Sequence, residues 1–455
     1  MSESDELWAT RVASLAPLPD ARLGKRLCVI LEALVAQPES SLPQAAGTWK
    51  DTKAIYRFLE NDRASDTALL QGLRDCTARA CVGRPEILLV QDTTTLNIST
   101  RAIPELGPVS RTPQSRGLLM HTCLGVGSDG EVLGVLDLQR WVRPNPGHPG
   151  PDALESGKWL EGFYASREAI LTAAAGLPQP RLIHIGDRES DMWDLMQAID
   201  DAGDGAILRC AQNRVVEGPV RRAHDAVRSQ PVLHEYWLDV PRKPCQSARV
   251  ARVQLRVLEA NLVPDREKYP HGWPMTWSLV EVWEPDPPEG VEGLRWLLWT
   301  REAVGSVAEV LAVVEKYRKR WLVEEYHLVL KSGCRVEELQ LESWSGLQKA
   351  LVMYSGVAAR VLRLKEAARR EPESDAREML DEEECEVLQA RFGASGCLPG
   401  VTLLTLKQAV LWIGRLGGHL NRKGDGMPGV RTIWKGLRAL DLLIQGARAA
   451  KRMRS

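Results

Sequence analysis

Ile87-Leu88-Leu89-Val90-Gln91-Asp92 and Arg181-Leu182-Ile183-His184-Ile185-Gly186-Asp187 decide the fold. Each is a short apolar run that ends on an aspartate. An α/β sheet carries its chemistry at the carboxyl ends of such strands. A third carboxylate lies in Tyr317-Arg-Lys-Arg-Trp-Leu-Val-Glu-Glu-Tyr-His-Leu-Val-Leu-Lys331, which reads as helix. At about 100° per residue, Tyr317, Arg320, Glu324 and Lys331 share an arc of roughly 60° on one face. Glu324 is preferred to Glu325 because only Glu324 lies in that arc. On a lone surface helix the Arg320/Glu324 spacing is also an ordinary i,i+4 pair, worth roughly 0.2–0.5 kcal/mol, so the helix alone decides nothing.

Two strand-end aspartates and one helical glutamate can converge on a pair of divalent cations. Such cations, roughly 3.5–4 Å apart, activate an attacking oxygen and stabilise a leaving oxygen in phosphoryl displacement. Hard cations such as Mg²⁺ take oxygen ligands, and only one or two carboxylates each. On this reading Asp92, Asp187 and Glu324 are both the catalytic residues and the metal ligands. Asp191, one turn past Asp187, reads as a structural carboxylate near a helix start. Dispersed histidines, His327 included, make no metal cluster.

The order of elements is mixed. Residues 1–65 read as a helical unit, with Asp20 as N-cap and an apolar stripe at Leu23, Leu27, Ile30, Leu31 and Leu34. Arg22, Lys25 and Arg26 project elsewhere on that helix, and Lys50, Lys53 and Arg57 line one side of a second. These cations suit DNA phosphates or simple solvation. Strands are expected at 87–91, 118–126, 132–142 and 181–186, with a helix near 157–175. The Pro/Gly-rich run Pro144–Pro151 excludes helix and central strand. Alternation of Arg252, Gln254 and Arg256 with Val253, Leu255 and Val257 predicts half-exposed β-structure. That basic face could lie along DNA or guard a sheet edge. Beyond Lys331 the pattern is helical, with Gly333 a C-cap candidate.

Composition narrows the class. In 455 residues, 44% hydrophobic, no apolar run approaches the length of a membrane span. The start Met-Ser-Glu-Ser-Asp-Glu is acidic, unlike a basic signal peptide, which predicts a cytoplasmic protein. The nine cysteines, at 28, 76, 81, 123, 210, 245, 334, 385 and 397, lack metal spacing and read as reduced and mostly buried. A net charge of −1 argues against a uniformly basic nucleic-acid binder, but it hides segregation. Glu371–Glu386 holds nine acidic residues and one basic, whereas Leu398–Ser455 holds eleven basic and two acidic. A local basic surface is what DNA would feel.

The motifs Gln91-Asp92-Thr93-Thr94, Asp187-Arg188-Glu189-Ser190-Asp191 and Tyr317-x-x-Arg320-Trp321-x-x-Glu324-x6-Lys331 resemble the DDE triad and Tyr-Arg-Glu-Lys signature of the IS4 family of bacterial transposases, in particular its Tn5-like members. Ala54-Ile55-Tyr56-Arg57-Phe58-Leu59, Glu155-Ser156-Gly157-Lys158-Trp159-Leu160 and Arg415-Leu416-Gly417-Gly418 extend the resemblance, in order, across nearly the whole chain. The resemblance implies a ribonuclease H-like catalytic core over 66–365, with an inserted β-rich subdomain at about 212–300. It implies an N-terminal helical DNA-end-binding domain at 1–65 and a C-terminal helical dimerisation and DNA-contact domain at 366–455.

It also implies cut-and-paste transposition of an element bounded by terminal repeats. The enzyme would use two Mg²⁺ per site, with Mn²⁺ able to substitute, act as a homodimer and pass through a hairpin intermediate. Tyr317, Arg320 and Lys331 would grip phosphates. Trp296 matches a tryptophan on which a flipped base stacks, although a buried strand tryptophan fits the same sequence. Arg209 matches a DNA contact, but Cys210, Ala211 and Gln212 lack the basic residue expected after it. A nuclease without strand transfer, or a transposase-derived DNA-binding protein without transposition activity, fits the same residues less fully.

Overall fold

The computed structural model describes residues 3–98, 102–110, 115–143, 153–240, 248–393, 403–422 and 424–454. The run Pro144–Pro151, Cys245 and Cys397 lie outside them. Five helices open the chain: α1 Glu3–Leu15, α2 Ala21–Ala36, α3 Leu42–Ala46, α4 Trp49–Leu59 and α5 Asp66–Cys81. Asp20 caps α2, its carboxylate accepting from the Arg22 N–H. Leu27, Ile30, Leu31 and Leu34 form the buried stripe of α2. Thr48 and Ser65 cap α4 and α5 in the same way.

The strands β1 Glu86–Asn97, β2 Gly107–Pro108, β3 Arg116–Gly127 and β4 Val132–Trp141 follow, then α6 Ala153–Ala173, β5 Arg181–Gly186, α7 Trp193–Ala202 and β6 Gly205–Arg209. After α8 Ala223–Arg228 come β7 His234–Val240, β8 Arg249–Leu262, β9 Met275–Trp283 and β10 Arg295–Thr300. One ten-stranded sheet contains them all, in the order β2-β3-β1-β5-β6-β10-β9-β8-β7, with β4 on β3. The β1–β5 and β5–β6 pairs are parallel, and every other pair is antiparallel. The strands in the region of the expected β insertion, β7 to β10, lengthen the central sheet, because β10 hydrogen-bonds to β6.

The centre of the sheet is covered on both faces, which is why β1 reads as a continuous apolar run. Leu88 and Val90 join the core made with the helical segments 321–328 and 344–370, whereas Ile87 and Leu89 face Ile170 of α6. The chain closes with α9 Val307–Arg318, α10 Trp321–Leu328, α11 Trp344–Arg370, α12 Glu382–Phe392, α13 Leu406–Leu416 and α14 Val430–Arg454. α11 is buried along most of its length and runs unbroken through 365–366. The acidic run 371–386 supplies the capping box of α12, Asp381 with Glu384. Its first-turn carboxylates favour that helix end, and Arg377 and Arg448 pair with Glu382 and Glu383.

Candidate active site and DNA-contact surfaces

Register brings the two aspartates to neighbouring positions. The last β1–β5 pair is Val90 with Ile185, so Asp92 and Asp187 each stand two residues beyond it. β1 does not stop there, as the apolar run suggested. It stays paired with β3 as far as Asn97, and Asp92 lies mid-strand where the parallel partner leaves off. Oδ1 of Asp92 accepts from the Thr93 N–H at 2.8 Å, and Oδ2 lies 3.7 Å from Nη1 of Arg320. Burial, then the charge of Asp187, pushes the Asp92 carboxyl up to about 7, against the pull of Arg320. Burial also raises Asp187, whose Oδ1 accepts from the Glu189 N–H at 2.9 Å. The glycine before Asp187 is a packing requirement, since a Cβ at Gly186 would lie 2.4 Å from Ser190 Oγ and 2.9 Å from the Trp159 ring.

The stretch from Tyr317 to Lys331 is not one helix. α9 ends at Arg318 and α10 begins at Trp321. Between them Arg320 N–H bonds Tyr317 O, Leu322 N–H bonds Lys319 O and Val323 N–H bonds Arg320 O, three-residue steps that tighten and turn the chain. A guanidinium of Arg320 nevertheless reaches Glu324 through Nη2 and sits 6.0 Å from the centre of the Tyr317 ring. Glu325 turns away to the buried Lys365.

After Leu328 comes a wider turn, Val329–Gly333. Gly333 is not a left-handed cap. The positive φ falls on Arg335 (52°) instead, and Gly333 is small because a Cβ there would lie 2.9 Å from the Trp434 ring of α14. Lys331 sits on this turn, half-buried, with burial lowering its ammonium and Glu337 opposing. Among the described residues it makes no ion pair with any of the three carboxylates.

Trp296 and Trp299 share β10 but differ in burial. Trp299 is fully buried, whereas Trp296 is half-buried and meets Tyr317 edge-on, centroids 5.8 Å apart. Arg209 ends β6 and donates through Nη2 to the Arg295 carbonyl. Burial lowers its guanidinium, opposed by Tyr317. Arg209, Trp296, Tyr317 and Arg320 thus form one aromatic and basic wall leading to Asp92.

Asp191 is structural, but not through helix capping. Its buried carboxylate accepts from the Ala211 and Gln212 N–H groups at 2.7 Å and pairs with Arg214. Arg214 is buried in this pairing, so it is a structural cation and does not replace the basic residue that the positions just after Arg209 lack. Its role was hidden because the pairing spans 23 residues of sequence.

Oxygen-only donors suit a hard divalent cation. Two half-buried aspartates, both raised by burial and Asp92 further by the charge of Asp187, form a pair that such a cation would relieve. Glu324 is engaged by Arg320, and among the described residues no three His, Cys, Asp or Glu side chains are grouped closely enough to hold a metal ion. Of the seven described cysteines, six are buried and all are free thiols.

At the N-terminus Lys25, Lys50, Lys53 and Arg57 are exposed and Arg26 is half-buried. Arg22 is exposed but paired with Asp20 at 2.8 Å. Lys53 Nζ stands 5.0 Å over the exposed Trp49 ring. The strand face at 249–256 is not a free basic surface. Arg249 pairs with Glu284, Arg252 with Asp286, and Arg256 with the buried Glu281, which Arg295 also reaches. The alternating pattern showed the arginines but not the acids on β9 and the loop after it.

Known families match both ends of this architecture. Residues 5–64 match the transposase DNA-binding family, and residues 356–455 match the dimerisation domain of the Tn5 transposase. The first match covers α2 and α4 with their exposed cations, and the second begins within α11 and includes α12 to α14. The chain is therefore a transposase that binds DNA and carries a dimerisation domain, with a large mixed sheet between these regions. Both matches support a Tn5-like transposase of the IS4 family. Among the described residues no helix is long and apolar enough to cross a membrane.

Proposed function

We infer that the protein is a cut-and-paste DNA transposase. It would bind the terminal repeats of an insertion element as a homodimer, cleave them by metal-dependent phosphoryl transfer through a hairpin, and join them to target DNA. The observation that carries this reading is the juxtaposition of Asp92 and Asp187 just beyond the last parallel pair of β1 and β5, with Arg320 facing Asp92 and Glu324 within its reach. The core is read as ribonuclease H-like on the same ground, with the helical regions 1–65 and 366–455 flanking a catalytic region at 66–365. The working compartment is the bacterial cytoplasm, at the nucleoid when DNA is bound.

Asp92 and Asp187 would hold divalent cations, Mg²⁺ or Mn²⁺, and Glu324 would add its carboxylate as Arg320 turns to a DNA phosphate. When bound, the cations would activate the attacking oxygen, water or a DNA 3′-hydroxyl, and neutralise charge on the leaving oxygen. The planar fork of Arg320 suits bidentate phosphate contact, and Lys331 offers a point charge from the adjoining turn. Tyr317 buttresses the half-exposed Trp296, which would stack an unpaired base and offset the few kcal/mol that flipping costs. Arg209 adds charge to that wall. Arg22, Lys25, Arg26, Lys50, Lys53 and Arg57 would contact the terminal repeat.

The engagement of Glu324 by Arg320 favours, as second reading, a transposase-derived DNA-binding protein that does not cut. Both are tested with a labelled duplex carrying the element's own terminal repeat. Mg²⁺- or Mn²⁺-dependent cleavage at the repeat boundary, lost in Glu324→Gln while binding persists, is the expected result. Binding without cleavage under either metal would establish the second reading.

A further inference from the structure

We propose that His121 is a positioning residue, which, braced by Trp159, fixes Asp92 relative to Asp187 and so sets the cation affinity of the pair. The inference rests on the reading of these aspartates as cation ligands. On β1, Gln91 and Thr93 point to the face opposite Asp92. His121 on β3 is paired directly across from Thr93 and clamps both neighbours of the aspartate, Nε2 lying 3.0 Å from Gln91 Oε1 and Nδ1 2.9 Å from Thr93 Oγ1.

The donor pattern is determined by the partners. Gln91 Oε1 only accepts, so Nε2 carries the proton and Nδ1 accepts from the Thr93 hydroxyl. Burial holds the ring neutral, well below the ordinary histidine range. The tethered Thr93 is also the residue whose backbone N–H donates to Asp92 Oδ1.

The second half of the strut comes from α6, in the Gly157-Lys158-Trp159 motif that the proposed reaction leaves without a role. The buried Trp159 ring meets His121 edge-on, centroids 4.7 Å apart, and occupies the space a Cβ on Gly186 would need. Lys158 Nζ holds Glu189 Oε2 at 2.8 Å, beside the Asp187 turn. One turn on, Gly162 brings the helix so close to β1 that a Cβ there would fall 2.4 Å from Gln91 Oε1. His121 and α6 therefore connect the back of Asp92 to the back of Asp187.

Removing a group that orients a metal-binding side chain typically costs about 10–100-fold in metal affinity. The test is titration of Mn²⁺ alone into the full-length protein, free ion being followed by electron paramagnetic resonance, with melting temperature measured on the same samples. His121→Phe keeps a flat ring of similar size and loses both hydrogen bonds, and it is expected to weaken Mn²⁺ about tenfold in a protein that still folds, with a melting temperature lowered by the acceptor left unpaired on Gln91. Thr93→Val removes one hydrogen bond at nearly constant shape and is expected to weaken Mn²⁺ about threefold, and it decides the matter if His121→Phe does not fold. Wild-type affinity in the folded variants overturns the proposal, as does Mn²⁺ binding that Asp187→Asn leaves intact. A wild type whose Mn²⁺ binding depends on His121 but which cuts no terminal-repeat duplex would remove the cleavage reading and leave this one standing.

Discussion

The strand ends and the α9–α10 corner bring charge to the same place by different means. Asp92 and Asp187 are held by backbone register, with β1 and β5 paired up to Val90 and Ile185 and both faces of the strands packed. The backbone of Asp92 is fixed within the sheet, and that of Asp187 follows directly on the last residue of β5. Glu324 and Arg320 sit across a tight turn and hold each other through side chains. A pair made of two long side chains can be exchanged for other partners at low cost, since such contacts are worth a fraction of a kcal/mol when partly exposed. The rigid half is suited to holding ions in place, and the exchangeable half to meeting DNA.

Breaking the rigid half should have the largest effect. Asp187→Asn is expected to lower terminal-repeat cleavage by about 10⁴-fold or more, the scale seen when one member of a catalytic unit is removed, with binding of the repeat retained in a gel-shift assay. A residual rate within tenfold of wild type would show that Asp187 is not part of the reacting centre. On the exchangeable side, Arg320→Lys keeps the charge and loses the fork. Cleavage is expected to fall about 10²-fold, the cost of losing one aligned charge-stabilising group, with end affinity changed by no more than about threefold. Equal losses in both measurements would mean that Arg320 serves binding alone.

A stability measurement sharpens the same contrast. Burial and Asp187 raise Asp92 from 3.8 to about 7, so the folded state binds a proton more tightly than the unfolded chain. Ionised Asp92 therefore costs stability progressively as pH rises from about 4 through 7, the reverse of an ordinary paired carboxylate. Asp92→Asn should accordingly raise the stability of the metal-free protein at pH 8 by about 2–4 kcal/mol, and the gain should shrink towards pH 4. Urea unfolding at the two pH values checks it. A variant less stable than wild type at pH 8 would show that Arg320 more than compensates the burial.

The contrast also explains what the sequence makes legible. The strand 181–186, the α2 stripe and the Asp20 cap depend on local patterns and stand where those patterns place them, whereas the strand at 87–91 runs on to Asn97 because β3 continues to pair with it. The two aspartates follow because register carries local pattern into space. The break at Lys319–Arg320 was not legible, because a continuous helical period runs through it and the turn is made by backbone hydrogen bonds. Gly333 reads as a cap but answers to Trp434, about a hundred residues away in sequence. Pairings such as Asp191 with Arg214, and Arg256 with Glu281, depend on strand neighbours that no local window contains.

That last blindness separates two sets of cations that look alike in sequence, and the smallest predicted effect tests the separation. Arg57 and Lys53 on α4 stand in solvent, whereas Arg256 faces Glu281 at 3.2 Å and lies 3.8 Å over the Trp283 ring. A cation already neutralised within the fold releases no counterion from DNA, but a free one releases about one per phosphate met, giving a salt slope of about −0.9 each. Arg57→Ala should reduce the slope of log affinity against log salt by about one. Arg256→Ala should leave the slope unchanged and lower the unfolding midpoint instead, because Glu281 loses one of its two arginines. If Arg256→Ala were to flatten the slope as Arg57→Ala does, the strand face would have to open its ion pairs to DNA, and the division between structural and DNA-facing arginines would fail.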